Sequence, residues 1–228
     1  MTKGLVYVAD DEKDIRELIK SFLEEAGHTV KIFENGDLLF EEFKIQEPDL
    51  IILDVMMPGT DGFAMTNKIR EISEVPILLL TAKDTDMDYI AGFTAGCDDY
   101  FTKPFSLIKL MMRVNAILKR ENKLKKDTDD LVFGDIRLSQ QLKKCEINGV
   151  ELNLTKTEHS LLTYLIDKKD SAVSREELLN DIWGYSASVE TRVTDDTIKR
   201  LRKKLKDSGS EVQIETVWGF GFRLKLAE

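Results

Sequence analysis

Five short apolar runs alternate with stretches of helical periodicity over the first 120 residues, and that alternation leaves few folds open. Leu5–Ala9, Thr29–Phe33, Leu50–Leu53, Pro76–Leu80 and Asp99–Thr102 have the length and composition of strands. Between them lie amphipathic stretches. The first carries Ile15, Leu18, Ile19, Phe22 and Leu23 on one face and closes at Gly27. The second carries Leu38, Leu39, Phe40 and Phe43. Further helices are expected over 63–72, 84–95 and 107–119. Five βα units predict a doubly wound parallel sheet covered by helices on both faces.

The strands end in polar residues, and those residues are chemically matched. Asp10 and Asp11 follow the first strand, Asp54 ends the third, Thr81 the fourth, and Lys103 follows the fifth. With strand order 2-1-3-4-5, the first and third strands flank the switch point, and these groups converge on the ligand side of the sheet. Carboxylates that close repel one another unless a cation or a proton intervenes. With oxygen donors and neither His nor Cys, the set suits Mg²⁺ rather than zinc. Lys103 and Thr81 supply a positive charge and a hydroxyl suited to phosphoryl oxygens, which makes Asp54 a candidate nucleophile for an aspartyl-phosphate. The competing enzymatic reading, a phosphohydrolase of the haloacid-dehalogenase type, calls for an acid two residues after Asp54. Met56 stands there.

The net charge of −9 hides an asymmetry. Residues 1–120 hold 14 Lys+Arg against 22 Asp+Glu, whereas 121–228 hold 19 against 20. Within the second part, Arg192–Lys206 carries seven basic and two acidic residues. An acidic first part and a locally basic second part predict two jobs. Cys97 and Cys145 fall in different parts, so no disulfide is expected, and His28 and His159 lack metal-ligand spacing. No apolar run approaches the ~18 residues a membrane span needs. The N-terminal run is too short for a secretory signal, so a cytoplasmic location without membrane contact is expected.

Residues 121–130 are charged and read as a linker between a domain at 1–120 and another at 131–228, with a solvated continuation of the preceding helix as the alternative for their first half. The second begins with short strands, the last two joined by Asn148-Gly149, a two-residue hairpin signal. Thr155-x-x-Glu158 and Ser174-x-x-Glu177 are capping boxes that open two helices. A third helix, from about Thr191 to Lys206, turns Val193, Ile198, Leu201 and Leu205 inward, and a hairpin turning near Gly219 or Gly221 closes the chain. This is an α+β winged helix-turn-helix pattern, with the basic helix entering the DNA major groove. Arg200 is the candidate for a guanine edge; Arg192, Lys199, Arg202 and Lys203 are candidates for phosphates, with Thr197 beside them. Trp218 and Arg223 on the wing complete the expected DNA-binding set. Asp196 would either accept from cytosine or repel phosphate.

Asp10-Asp11, Leu53–Gly62, Leu80-Thr81-Ala82 and Asp98–Phe105 resemble a response-regulator receiver domain over roughly residues 3–120. Residues 131–226 resemble the effector domain of the OmpR/PhoB subfamily, most specifically at Ser174–Gly184, Ile198–Leu205 and Thr216–Arg223. The resemblance implies a two-component transcription regulator rather than an enzyme, acting on its own phosphoryl group only. It implies phosphate donation to Asp54 by a sensor histidine kinase. It also implies Mg²⁺ held by Asp11, Asp54 and the Met56 carbonyl, with Asp10 helping through water. Lys103 would pair with the phosphoryl group, with a cis peptide to Pro104, and Thr81 with Tyr100 would form the switch.

Phosphorylated members of that subfamily dimerise through the face made by the helix of 84–95, the Asp99–Thr102 strand and the closing helix. The dimers bind direct-repeat half-sites, with RNA polymerase a further candidate partner. Here Asp99 with Arg113 and Asp98 with Arg120 match the intermolecular ion pairs, and Ile90, Phe93 and Met111 would form the apolar patch. Tyr89 and Lys109 stand where a further ion pair would fall. Besides the dimer face, the departures from the pattern are Asp196 and Trp218. At Trp218 many members carry Arg, and an aromatic stacked against sugar or packed within the wing is expected instead.

Overall fold

The computed structural model describes residues 3–82, 95–123, 130–140, 142–169, 171–184 and 192–227, with the backbone alone for 119–123. It divides into two compact units, Met1–Lys119 and Arg120–Glu228.

The first unit is built on β1 (Leu5–Ala9), β2 (Thr29–Phe33), β3 (Leu50–Asp54), β4 (Ile77–Thr81) and β5 (Asp99–Thr102). All neighbours pair in parallel, in the order β2-β1-β3-β4-β5. The helices are α1 (Lys13–Glu25), α2 (Gly36–Ile45), α3 (Gly62–Arg70) and α4 (Leu107–Lys123). Every residue of β3 and β4 is buried, as expected for strands with helices on both faces. On one face Ile19 and Leu23 of α1 and Leu110, Val114, Ile117 and Leu118 of α4 pack over Val6, Val8, Leu50, Ile52, Leu78 and Leu80. Each such side chain contributes roughly 1.5–3 kcal/mol of transfer free energy. The apolar stripe of α1 is wider than its buried face: Leu18 and Phe22 stay 46% and 37% exposed. The helix expected at 84–95 lies almost entirely outside the described residues. The closing helix runs to Lys123, into the segment read as linker.

The second unit opens with an antiparallel sheet of β6 (Leu131–Phe133), β7 (Ile136–Ser139), β8 (Lys144–Ile147) and β9 (Val150–Leu152), in sequence order. Asn148 and Gly149 both have positive φ, the geometry that a two-residue hairpin demands. Helices α5 (Lys156–Asp167), α6 (Arg175–Trp183) and α7 (Val193–Asp207) follow, then the hairpin of β11 (Val212–Val217) and β12 (Gly221–Leu226). A two-residue strand, β10 (Val173–Ser174), pairs with β12 and makes this sheet three-stranded; it is too short for any periodicity to reveal. Gly221 is required there, since a Cβ would lie 1.9 Å from the Val173 carbonyl oxygen.

The two capping boxes differ. At α5 both bonds form: Thr155 Oγ1 accepts from Glu158 N–H, and Glu158 Oε2 accepts from Thr155 N–H. At α6 Ser174 Oγ accepts from Glu177 N–H, but the Glu177 carboxylate instead accepts from the Tyr164 hydroxyl at 2.7 Å. Tyr164, on α5, offers a stronger donor than a backbone amide. Cys97 and Cys145 are buried, as are both histidines.

Candidate functional site

Parallel strands β1, β3 and β5 deliver their last side chains to one end of the sheet. The register sets Ala9 beside Leu53, so the two residues that follow, Asp10 and Asp54, are neighbours. Asp10 is fully buried and Asp54 is 2% exposed, while Asp11 faces solvent. Carboxylate oxygens of the three lie within 4.8 Å of one another. Lys103 Nζ reaches Asp10 Oδ2 at 2.8 Å, Asp54 Oδ2 at 3.1 Å and the exposed Glu12 Oε1 at 3.3 Å. The Lys103-Pro104 peptide is cis, and Lys103 N–H donates to the Thr81 carbonyl. Thr81 is buried at the tip of β4, and Tyr100 is half-buried on β5.

The electrostatics follow from burial. Desolvation raises the Asp10 carboxyl above its ordinary range, with Lys103 and the Glu12 N–H pulling the other way. Burial would lower the Lys103 ammonium, but Asp10 and Asp54 outweigh it and raise it, so it is charged at any neutral pH. One ammonium facing three carboxylates leaves the cluster short of positive charge. Asp54 Oδ1 is buried with no hydrogen-bond partner. An unpartnered carboxylate oxygen among all-oxygen donors fits a hard divalent cation such as Mg²⁺.

Comparison with known proteins decides what this end of the sheet belongs to. Residues 6–115 match the response regulator receiver domain, and residues 149–224 match the C-terminal domain of transcriptional regulatory proteins. The transcriptional regulatory protein ResD of Bacillus subtilis is 36% identical over 97% of this chain and 95% of its own. The response regulator ArlR of Staphylococcus epidermidis is 36% identical over 96% and 99%. The chain is a response regulator of the OmpR/PhoB family. Among solved structures, the response regulator DrrB, a Thermotoga maritima OmpR/PhoB homologue, is 33% identical over 98% of this chain and 99% of that one, with a TM-score of 0.50. A cysteine-to-serine mutant of RitR reaches a TM-score of 0.81 over 98% and 100%, at 21% identity, a likeness of fold alone. The protein is therefore a phosphorylation-controlled transcription regulator, and its two domains imply a histidine kinase as partner and DNA as target. Its relatives are regulators, not enzymes in the ordinary sense. Among the described residues no helix is long and apolar enough to cross a membrane.

The regulator's basic helix presents fewer of its cations than the sequence leads one to expect. Arg192, Lys199 and Lys203 are exposed. Arg202 is engaged within the domain: its Nε donates to the Ile214 carbonyl and its Nη2 to Thr216 Oγ1, both at 2.8 Å. The Phe222 ring of the wing lies 5.6 Å from the Arg202 guanidinium and 4.6 Å from that of Arg175. Arg200 also turns inward, with 16% of its side chain exposed and Nε 3.7 Å from Glu158 Oε1. Thr197 is fully buried and donates to the Val193 carbonyl. Arg200 and Arg202 thus hold contacts within their own domain, to Glu158 and to the wing. Asp196 is half-buried, and burial raises its carboxyl against the pull of Arg200 and Lys199. Trp218 is 93% exposed, so it is not packed within the wing, and Arg223 pairs with Glu215 on the facing strand.

Several residues expected at the dimer face have partners inside the receiver. Asp98 is fully buried, accepting from Arg70 at 2.8 Å and from Ile77 N–H at 2.9 Å. Asp99 and Arg113 are buried and pair with each other within the receiver. Met111 packs against the core, whereas Ile108 and Met112 are the exposed apolar residues of α4. Ile90, Phe93 and the Arg120 side chain lie outside the described residues.

Sequence reading misses Glu158 as a hub: besides its cap bond, Oε2 holds Lys204 Nζ at 2.6 Å, 46 residues away. The capping box signals half of that role.

Proposed function

We propose that Asp54 accepts a phosphoryl group from a sensor histidine kinase. The observation that carries this reading is the buried, unpartnered Asp54 Oδ1 beside Lys103 and two further carboxylates. The phosphorus–nitrogen bond of the donor breaks as the bond to Asp54 forms. Lys103 neutralises charge on the transferred group, and Thr81 offers its hydroxyl to a phosphoryl oxygen. Asp11, Asp54 and the Met56 carbonyl would hold Mg²⁺, with Asp10 acting through water; the ion would supply charge neutralisation for attack and for the phosphoryl oxygens. Slow hydrolysis of the same group by the protein itself belongs to the proposal.

Phosphorylation then biases Thr81 and Tyr100, and two receivers associate. The paired second domains engage direct-repeat DNA through Arg192, Lys199 and Lys203, with Trp218 and Arg223 contributing from the wing. RNA polymerase is the proposed downstream partner, and the cytoplasm the proposed compartment. A small phosphodonor with Mg²⁺ tests the first step. The protein should shift on a phosphate-affinity gel and the Asp54→Asn protein should not; an equal shift in both would place the phosphoryl group elsewhere.

A further inference from the structure

The loop Val55–Asp61 carries the Met56 carbonyl and joins β3 to α3. Its two ends are fixed locally. Val55 N–H donates to the Leu80 carbonyl, and Gly62 N–H donates to the Val55 carbonyl. Gly62 sits so close that a Cβ would lie 2.4 Å from the Asp54 carbonyl oxygen. Asp61 caps α3 through Ala64 N–H. The outward part, Met56 to Thr60, is more exposed, and it is held from α2. Asp37 Oδ1 accepts from Thr60 Oγ1 at 2.7 Å, and Oδ2 accepts from Thr60 N–H at 3.3 Å. The backbone is shaped around this carboxylate: Gly59 has φ +85°, and a Cβ there would stand 2.7 Å from Asp37 Oδ2. Beneath the clasp, Met57 is 7% exposed and lies against Gly36, the residue that precedes Asp37.

We propose that Asp37 is a positioning residue for the phosphorylation pocket: by clasping Thr60 across from α2, it fixes the loop whose Met56 carbonyl helps hold the divalent cation. The inference rests on the reading of Asp54, Asp11 and Met56 given above. A bidentate carboxylate on a loop hydroxyl and amide restricts the swing of that loop without touching the ion. Partners of this kind set metal affinity through the order they impose on the ligands. Asp37 also sits in the first turn of α2, so its removal alone confounds loop and helix. Thr60 is the cleaner handle, because its hydroxyl bonds to Asp37 rather than to its own loop and Thr→Val keeps the shape.

The test uses the full-length protein and Mn²⁺ as probe, with bound and free ion counted by electron paramagnetic resonance and no phosphodonor present. Asp37→Ala and Thr60→Val should each weaken Mn²⁺ binding by about 10-fold, the lower end of what outer partners of metal ligands show. The double variant should be no weaker than Asp37→Ala alone, because that carboxylate accepts both bonds of the clasp. Thr60→Ser, which keeps the hydroxyl, should bind as the parent does. Phosphorylation by a small donor should slow in the same order. Parental Mn²⁺ affinity in both single variants, whatever their melting temperatures, would overturn the positioning role while leaving the pocket intact. Failure of the parent protein to bind Mn²⁺, with Asp11→Asn as control, would overturn the pocket reading and this one together.

Discussion

Asp10 and Lys103 make the sharpest residue-scale case, because their charges are balanced against burial rather than against water. The Lys103 ammonium is raised above its ordinary value, so its contribution is complete at neutral pH and is lost only as pH rises through the folded value. The Asp10 carboxyl is also raised, the reverse of the usual carboxylate case. The folded state therefore takes up a proton more readily than the unfolded chain, and acidification through that range relieves the site. Lys103→Met removes the partner of two buried carboxylates and should cost about 3 kcal/mol at about pH 7.5. The loss should shrink on acidification as Asp10 protonates, and urea unfolding of the two proteins over a pH series measures it. A loss independent of pH would mean that packing of the lysine stem, not its charge, is what the substitution removes.

At the scale of the element, α7 illustrates why a basic run cannot be read as a binding face residue by residue. Its buried side is Val193, Ile198, Leu201 and Leu205, as the periodicity requires. The flanks of that stripe hold Arg200, Arg202 and Lys204, which reach polar groups of α5, the wing and the loop before α5. Two substitutions on opposite sides of this division should then separate cleanly. Arg202→Ala loses hydrogen bonds from a charged donor to the wing and should cost about 2 kcal/mol of stability in urea. Lys203→Ala leaves stability within about 0.5 kcal/mol. It should weaken binding to all DNA sequences alike and lower the salt-dependence slope by about 1. If Arg202→Ala instead altered only the salt slope, the wing contacts would be dispensable and the guanidinium a phosphate ligand after all.

For the whole molecule, the open link is between phosphorylation and DNA occupancy. Asp98 and Asp99 spend their charge inside the receiver, on Arg70 and Arg113, so neither is a free partner for a second copy in this state. The proposed dimerisation would then use contacts other than these two pairs, or a rearrangement of them. A beryllium trifluoride complex with Mg²⁺ should double the mass seen by light scattering. It should also raise affinity for two half-sites ~10 base pairs apart far more than for one. A monomer that nonetheless gained affinity for a single half-site would show that the receiver acts on the DNA-binding domain without pairing. The sequence by itself determined the architecture. Five apolar runs with helical stretches between them admit little but a doubly wound sheet. Asp10, Asp11, Asp54, Thr81 and Lys103 at strand ends had to converge, because parallel strands all deliver their last residue to the same edge. Asn148-Gly149 and Thr155-x-x-Glu158 were legible for the same reason, since turn and cap chemistry acts within four residues. What only the tertiary structure decided is which polar groups face outward. Arg200, Arg202, Asp98, Asp99 and Asp37 all find partners at least twelve residues away in sequence, and no local pattern records a contact of that range.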